Sequence, residues 1–383
     1  MSLDTAQKVE ILGDAARYDI CRGCGTGASR VRDDLGRWIY PAVRPDGSKI
    51  ALLKVLFTNA CDGDCAYCVN RSAMDTRRVG FRAPELARLF ERLRRRGLVQ
   101  GLFLSSGICG SPDRMMERMI ITTEIIRFQY HFRGYIHLKL LPGADMGSVE
   151  RAVQLADRVS LNLEAPNPTR LARITGKKDF QRDLLDRMRW ANRFIQEKTN
   201  SRTTQTTQFV VGASDESDHE VLETTSKLYR EVGLHRAYFS AFQPVADTPL
   251  ENHAPTPLLR EHRLYQADFL LRQYGFQFHE IVFDEVGNLP TYADPKTAWA
   301  LRHPEIFPME INCASREELL RIPGIGPVSA NRIVKLRTKG TFRSLSDLRK
   351  LRLVTSRTAP FVLLDGKRPP MQLSLWDAPP GSN

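Results

Sequence analysis

The sequence predicts a parallel α/β domain followed by a small all-α module. Three observations carry that prediction. Between about residues 50 and 283, β-rich runs alternate with amphipathic helical patterns, the order that builds βαβ units. Past residue 311 the strand pattern gives way to two helical patterns flanking PGIGP (323–327). Between these parts, residues 283–310 are richer in Pro and Gly, as expected of a connection.

The first 48 residues read as an N-terminal extension. They begin MSLDTAQKVEILGDAARYD, with acids and no apolar core segment, which is not a secretory signal. IALLKVLFTNAC (50–61) reads as a buried strand ending in a loop. APELARLFERLRRRG (83–97) reads as a helix, because Leu86, Leu89, Phe90 and Leu93 follow the i, i+3, i+4, i+7 rule and Gly97 stops it. GLFLSSG (101–107), YIHLKLLPG, VSLNLEAPN, QTTQFVVGA and AYFSAFQP supply five more strands, with helical stretches between them. Such a series forms either a doubly wound sheet or a full or partial barrel, and in both the chemistry sits at the C-terminal ends of the strands.

Composition narrows the class. Of 383 residues, 42% are hydrophobic, enough for a large domain and a smaller one. No run of about 18 apolar residues occurs, so no membrane span is expected and the protein reads as cytoplasmic. The net charge of +12 favours an anionic partner without naming it. Residues 311–383 hold 13 Lys and Arg against 5 Asp and Glu, so most of the excess lies in the C-terminal part. The seven cysteines cluster at 21/24 and 61/65/68, with Cys109 and Cys313 isolated. In a reducing compartment such clusters bind metal more often than they form disulfides.

CDGDCAYC (61–68) places Cys61, Cys65 and Cys68 in a C-x3-C-x2-C pattern just after the first strand of the series. Zinc and iron–sulfur sites commonly take four protein ligands. One reading is a zinc knuckle that borrows Cys21, Cys24 or Cys109. The other is a four-iron cluster held at three corners. The second pattern, with Tyr67 before the last cysteine, resembles the radical S-adenosylmethionine superfamily. The resemblance implies a partial (β/α)6 TIM-like barrel, a 4Fe-4S cluster on Cys61, Cys65 and Cys68, and S-adenosylmethionine on the open iron. It also implies reductive cleavage to a hydrogen-abstracting 5′-deoxyadenosyl radical, with the electron supplied by a donor such as flavodoxin or ferredoxin.

The resemblance places further residues at other strand ends. Ser105, Ser106 and Gly107 stand where the family binds the amino group of S-adenosylmethionine, although Ser-Ser-Gly departs from the commoner Gly-Gly-Glu. Asn162 and Glu164, alternating onto one face of the LNLEAPN strand, would meet the ribose or the substrate, or serve as polar loop residues. Gly212, after QFVV, would let backbone approach the adenine or simply make a turn. Cys109, just beyond Ser105–Gly107, is a candidate for quenching a product radical. Cys21 and Cys24 form either part of an auxiliary metal site or a free thiol pair.

INCASREELLRIPGIGPVSANRIVKLRTKGTF (311–342) carries the second pattern. Ser315 is a candidate helix cap with Glu317 and Glu318 in the first turn, and a new helix follows Pro327. The stretch resembles a helix–hairpin–helix module, whose glycines Gly324 and Gly326 expose backbone amides to a phosphate. Arg332, Lys335 and Arg337 would add charge, a combination that positions DNA without reading its sequence. The competing reading is a tight turn between packed helices. Residues 344–361 have the room for a second hairpin but lack Gly-x-Gly. In the tail, Gln372, Leu373, Leu375 and Trp376 are similar to the peptide by which bacterial DNA-processing proteins dock on the replication sliding clamp. The alternative is a tail that packs back on the chain.

These patterns divide the chain into an extension (1–48), a catalytic domain (49–285), a connector (286–310), a helix–hairpin–helix module (311–355) and a tail (356–383). As a composite they resemble a DNA modification or repair branch of the radical S-adenosylmethionine superfamily. The rivals are radical modification of transfer RNA and a non-catalytic iron–sulfur protein that binds DNA or the clamp.

Overall fold

The computed structural model describes residues 4–16, 39–43, 49–198 and 202–370. Cys21 and Cys24, and the clamp-like Gln372, Leu373, Leu375 and Trp376, lie outside the described residues. The chain forms two compact units, residues 1–262 and 263–383.

The first unit is built on a seven-stranded sheet. β1 (Ile39–Val43) runs antiparallel to β2 (Lys49–Leu56). Next come β3 (Gly101–Ser105), β4 (Tyr135–Lys139), β5 (Arg158–Ser160), β6 (Thr204–Val211) and β7 (Arg236–Ala241). β2 to β7 are all parallel, and the strands lie in simple sequence order. A doubly wound sheet needs a reversal of strand order. Here there is none, so the sheet curls into a half-barrel with six parallel strands. Right-handed crossovers that always step in one direction put the helices on one face. β1 had no signal in the sequence. It is a five-residue edge strand, and its Pro41 is tolerated because an edge leaves one side of the ladder unused.

The helices of this unit are α1 (Thr5–Ala15), α2 (Ala83–Arg95), α3 (Pro112–Glu124), α4 (Met146–Leu155), α5 (Pro168–Ile174), α6 (Asp186–Glu197) and α7 (Asp218–Glu231). Local chemistry starts several of them. Asp4, Ser111, Asp145, Asn167 and Ser217 each accept a first-turn amide. α2 buries the expected stripe of Leu86, Leu89, Phe90 and Leu93, and Gly97 turns the chain at φ +71°. Leu53, Val55, Leu102, Leu104, Ile136 and Leu138 are fully buried. Alternation therefore sends their neighbours Lys54, Phe103 and His137 to the concave face.

One strand ends earlier than its sequence suggests. β5 stops at Ser160, and Asn162 and Glu164 do not continue its alternation. Glu164 adopts φ +66° and rejoins the ladder, donating its amide to Gln208 O at 3.1 Å and accepting Val210 N at 2.8 Å. The break turns Glu164 toward the end of the barrel.

The second unit begins inside α8 (Leu258–Gln273) and continues through α9 (Pro295–Leu301). The Pro- and Gly-rich stretch is packed rather than loose: Trp299 is buried, with its ring 5.3 Å from that of Phe276. Then come β8 (Met309–Glu310), α10 (Arg316–Arg321), α11 (Pro327–Arg337), α12 (Leu345–Lys350), α13 (Thr355–Thr358) and β9 (Val362–Leu363). β8 and β9 pair in parallel and tie the two ends of the helical module together. Ser315 caps α10 in a reciprocal box with Glu318. α12 and α13 are short, and no Gly-x-Gly lies between them. Among the described residues, no helix is long and apolar enough to cross a membrane.

Candidate active site

The cysteine loop leaves β2 and is laced to two other strand-end loops. On one side, Asp62 N donates to Ile108 O at 2.7 Å and Asp62 Oδ2 accepts Gly110 N at 2.6 Å. Gly107 N donates to Thr58 O at 2.8 Å. A Cβ on Gly107 would lie 2.4 Å from Ala60 O, so only glycine lets this loop approach the residue before Cys61. On the other side, Asp64 accepts Thr175 Oγ1 at 2.5 Å and Gly176 N at 2.9 Å. Ala66 N donates to Ile174 O at 2.8 Å, and Lys177 Nζ to Asp62 O at 2.6 Å. Burial raises the Asp64 carboxyl, but the bonds from Thr175 and Gly176 outweigh it and leave its pKa below the usual range.

Beyond Cys68 the loop is stapled by one guanidinium. Arg78 donates to Asn59 O, Asn70 O, Arg71 O and Met74 O at 2.6–3.0 Å. The planar fork of arginine suits four carbonyls that a single ammonium could not span.

Inside this frame the thiols come together. Cys61 Sγ accepts Gly63 N at 3.3 Å, and Cys68 Sγ accepts Asn70 N at 3.4 Å. The sulfurs of Cys61 and Cys65 border one small space, 3.1 and 4.0 Å from the point where a Gly63 Cβ would stand. Burial and the neighbouring Cys65 push the Cys68 thiol up to about 12. Coordination to a cation reverses that preference, since the thiolate is the ligand.

A polar cluster lies against the thiols and joins the expected Glu164 and Tyr67 to Lys178, which the sequence did not single out. Lys178 Nζ sits 3.5 Å from Glu164 Oε1, both side chains largely buried, and hydrogen-bonds Cys65. Burial works against its charge, but Cys65 and Glu164 raise its pKa above the usual lysine range. Tyr67 hydrogen-bonds Glu164, and burial, then Glu164 and the thiols, raise its pKa well above the ordinary tyrosine value. Glu164 Oε2 is buried with no hydrogen-bond partner. Lys178 had no local signal beyond a GKK triplet, because its role comes from the packing of α5's exit against the cysteine loop.

The remaining expected positions divide. Ser105 lies in the sheet, buried, and its carbonyl accepts Phe57 N at 2.7 Å. Ser106 Oγ donates to Gly107 O at 2.7 Å. Cys109 is exposed on the loop between the two residues that bond Asp62. Asn162 is half-buried two residues before Glu164. Gly212 (φ +89°) donates its amide to Glu216 and accepts His253 Nε2 at 2.9 Å. A Cβ there would overlap Thr256 Oγ1 at 2.0 Å, so its need for glycine is steric.

Residues 55–228, which include the whole cysteine loop, match the Radical SAM superfamily. The chain carries a radical SAM domain. Residues 308–359 match the helix-hairpin-helix motif. Among solved structures, the chain is similar to the FeFe-hydrogenase maturase HydG from Carboxydothermus hydrogenoformans, at 17% identity and TM-score 0.46, over 56% of this chain and 50% of that one. It is similar to methylornithine synthase PylB at 17% identity and TM-score 0.46, over 70% and 69%. The methyltransferase TsrM from Kitasatospora setae, with tryptophan and a SAM analogue bound, aligns at 16% identity and TM-score 0.41, over 78% and 62%. The chain spans about half the length of the hydrogenase maturases it matches. No curated protein sequence matches it.

The residues of this radical SAM domain fit the cofactors its family implies, a 4Fe-4S cluster and S-adenosylmethionine. Among the described residues, no three Cys, His, Asp or Glu side chains converge as a single metal ion requires. A four-iron cluster takes one thiolate per iron, so the three thiols of one short loop can hold it at three corners. The unpartnered Glu164 Oε2 is a buried acceptor for a hydroxyl or ammonium group on a ligand bound beside the thiols.

The second unit presents the hairpin. Gly324 adopts φ +84°, and Gly326 is the N-cap of α11, with Pro327 at the first helical position. The first amides of α11 have no carbonyl four residues back. Arg332 and Lys335 are exposed on this helix. Arg337 instead donates to Ala314 O and holds the module together. Of the apolar residues on α11, Ile333 is fully buried while Val328 is 64% exposed beside the hairpin.

Proposed function

We propose that this protein is a radical SAM enzyme that acts on DNA, modifying a base or sugar or reversing a lesion. One observation carries the reading: a three-thiol strand-end site and a glycine-bounded helix–hairpin–helix turn occur in the same chain. The site residues have distinct tasks. Cys61, Cys65 and Cys68 hold the cluster, with Gly63 N and Asn70 N donating to two of the sulfurs. When bound, cluster and S-adenosylmethionine supply one-electron cleavage of the sulfonium and hence hydrogen abstraction.

Lys178 keeps a positive charge beside Cys65 and offsets the negative charge of ligating thiolates. Glu164 offers Oε2 to a ligand donor, while Tyr67 and Lys178 fix its carboxylate. Ser106 and Gly107 bring backbone to the same edge. Cys109, exposed beside the loop, is the candidate to return a hydrogen atom to a product radical. The electron comes from a partner of the flavodoxin or ferredoxin kind. Gly324, Gly326, Arg332 and Lys335 grip the phosphate backbone.

The test is binding of the full chain to duplex DNA and to transfer RNA across a salt series. Duplex should be preferred. The paired change Arg332→Gln/Lys335→Gln should flatten the log–log salt slope by about 2, near 0.9 per lost phosphate contact. A preference for transfer RNA, or a slope unchanged in the paired variant, overturns the DNA reading. Anaerobic incubation of the reconstituted enzyme with damaged and undamaged DNA, read by mass spectrometry, identifies the product.

A further inference from the structure

Outside the C-terminal module the chain is close to neutral, yet one helix is not. Residues 1–310 hold 43 Lys and Arg against 39 Asp and Glu, an excess of four. Residues 88–96 alone hold five Arg against one Glu, which matches that whole excess. They form the second half of α2. The helix packs Leu86, Leu89, Phe90 and Leu93 inward, so its arginines face out, on the helix-covered side of the half-barrel and away from the concave face. Arg88, Arg92 and Arg96 follow one another at four-residue spacing, all exposed. Side chains so spaced are neighbours on a helix surface.

Local ion pairing leaves this stripe charged. Glu91 is buried and accepts Arg94 at 2.7 and 2.8 Å and Arg95 at 2.6 Å. The bonds from Arg94 outweigh burial and hold the Glu91 carboxyl at about 2, so one carboxylate serves two guanidiniums. The other acid of α2, Glu85, is held by Lys8 at 2.9 Å. Among the described residues, Arg88, Arg92 and Arg96 meet no carboxylate. The negative end of the helix dipole accounts for cations in the last turn. It does not account for Arg88, two turns before the helix ends at Arg95.

Two features point to the partner. Apart from Pro84, every exposed residue of α2 is an arginine. Protein interfaces centre on aromatic and apolar anchors, and this face has none. The second feature is length. Eight residues of helix from Arg88 to Arg96 span about 12 Å. A DNA strand carries one phosphate per about 3.4 Å of axis, so the stripe faces about three of them in a row. Arginine is always charged, and its fork suits phosphate oxygens. We propose that the outward face of α2 is a phosphate-backbone contact for duplex DNA, with Arg88, Arg92 and Arg96 on phosphates of one strand. The inference rests on the DNA reading above and adds a contact on the first unit, distinct from the hairpin of the second.

The probe is a blunt duplex of mixed sequence, and binding to the full, iron-loaded chain is followed by fluorescence anisotropy across a salt series. Arg88→Gln/Arg92→Gln/Arg96→Gln should flatten the log–log salt slope by about 2.7, near 0.9 per lost phosphate contact. Arg88→Lys/Arg92→Lys/Arg96→Lys keeps the charges and should keep the slope. If the triple Gln variant loads no iron, Arg88→Gln/Arg92→Gln decides the matter, with an expected change of about 1.8. An unchanged slope in the Gln variant, or equal losses in the Gln and Lys variants, overturns the proposal. So does a Gln variant that keeps the duplex slope but loses binding to polyglutamate, which would assign the stripe to an acidic protein. If Arg332→Gln/Lys335→Gln flattens the duplex slope and the α2 variant does not, only the stripe falls. If transfer RNA is preferred and its slope falls by about 2.7 in the α2 variant, the stripe stands and only the DNA reading falls.

Discussion

Replacing Gly324 by alanine tests why the hairpin is written with glycine. The residue adopts φ +84°, where a side chain costs about 1–2 kcal/mol. A Cβ there would stand 2.5 Å from Thr358 Oγ1 and 3.3 Å from Arg357 Cβ. Thr358 is fully buried, so it has little room to withdraw, and overpacking of this kind costs about 1–3 kcal/mol. The two contributions total about 2–5 kcal/mol. For a unit of this size, about 4 °C of melting temperature goes with each kcal/mol, so the second unit should melt about 8–20 °C lower. Calorimetry of the full chain reads this directly, and duplex binding should weaken with it. Adding Thr358→Ala removes the clash but leaves the backbone strain, so Gly324→Ala/Thr358→Ala should recover the steric share and no more. A Gly324→Ala protein that melts like wild type refutes the whole account. Full recovery in the double variant refutes the backbone part.

Other expected outcomes follow from the same geometry. Cys65→Ala should leave the purified protein nearly without iron and without the cluster's visible absorption, measured by metal analysis after anaerobic reconstitution; full iron loading would contradict the ligand assignment. Lys178→Gln should destabilise the first unit by about 3 kcal/mol, because it strands the buried Glu164 carboxylate, and Lys178→Gln/Glu164→Gln should restore part of the loss. A thermal melt in which the double variant is no better than the single one argues against the pairing. Lys296 is buried against Ile325 O at 2.5 Å, and burial lowers its pKa to about 7. Between about pH 7 and 10.4 the unfolded chain therefore binds the extra proton, and this residue makes the second unit more stable as pH rises. The gain from pH 7 to 9.5 is on the order of 2–3 kcal/mol, and it should be missing in Lys296→Met. Equal pH dependence in the two proteins would show that Lys296 is not the group responsible.

Much of this architecture is legible in the sequence because it is local. The α2 stripe reads correctly since helix period and burial agree at Leu86, Leu89, Phe90 and Leu93. The cysteine loop reads correctly because three thiols within eight residues need no tertiary contact to be near one another. β1 does not read, since five residues containing a proline resemble a loop until they pair with β2. The curl of the sheet does not read from the apolar pattern, which is the same whether strand order is sequential or reversed; the partial barrel is expected only through the family that the cysteine loop resembles, and the sequential order bears it out. Alternation puts Glu164 on a strand face, yet it leaves the strand at a positive φ. Arg337 looked like a phosphate ligand by proximity to the hairpin, but its guanidinium is used by Ala314 O.

By itself the sequence determined the chemistry available to this protein: three thiols in one short loop, and a glycine hairpin in a basic module. Both are short-range patterns, fixed by spacing along the chain. The surroundings of those groups were decided only by tertiary structure. Asp64 and Thr175 are 111 residues apart and meet because parallel strands deliver all their C-terminal ends to one rim. The same parallel register gathers Lys54, His137, Lys139, Arg158 and Arg236 from four strands onto one wall. Side chains two apart on a strand share a face, but which strands stand side by side is a property of the fold.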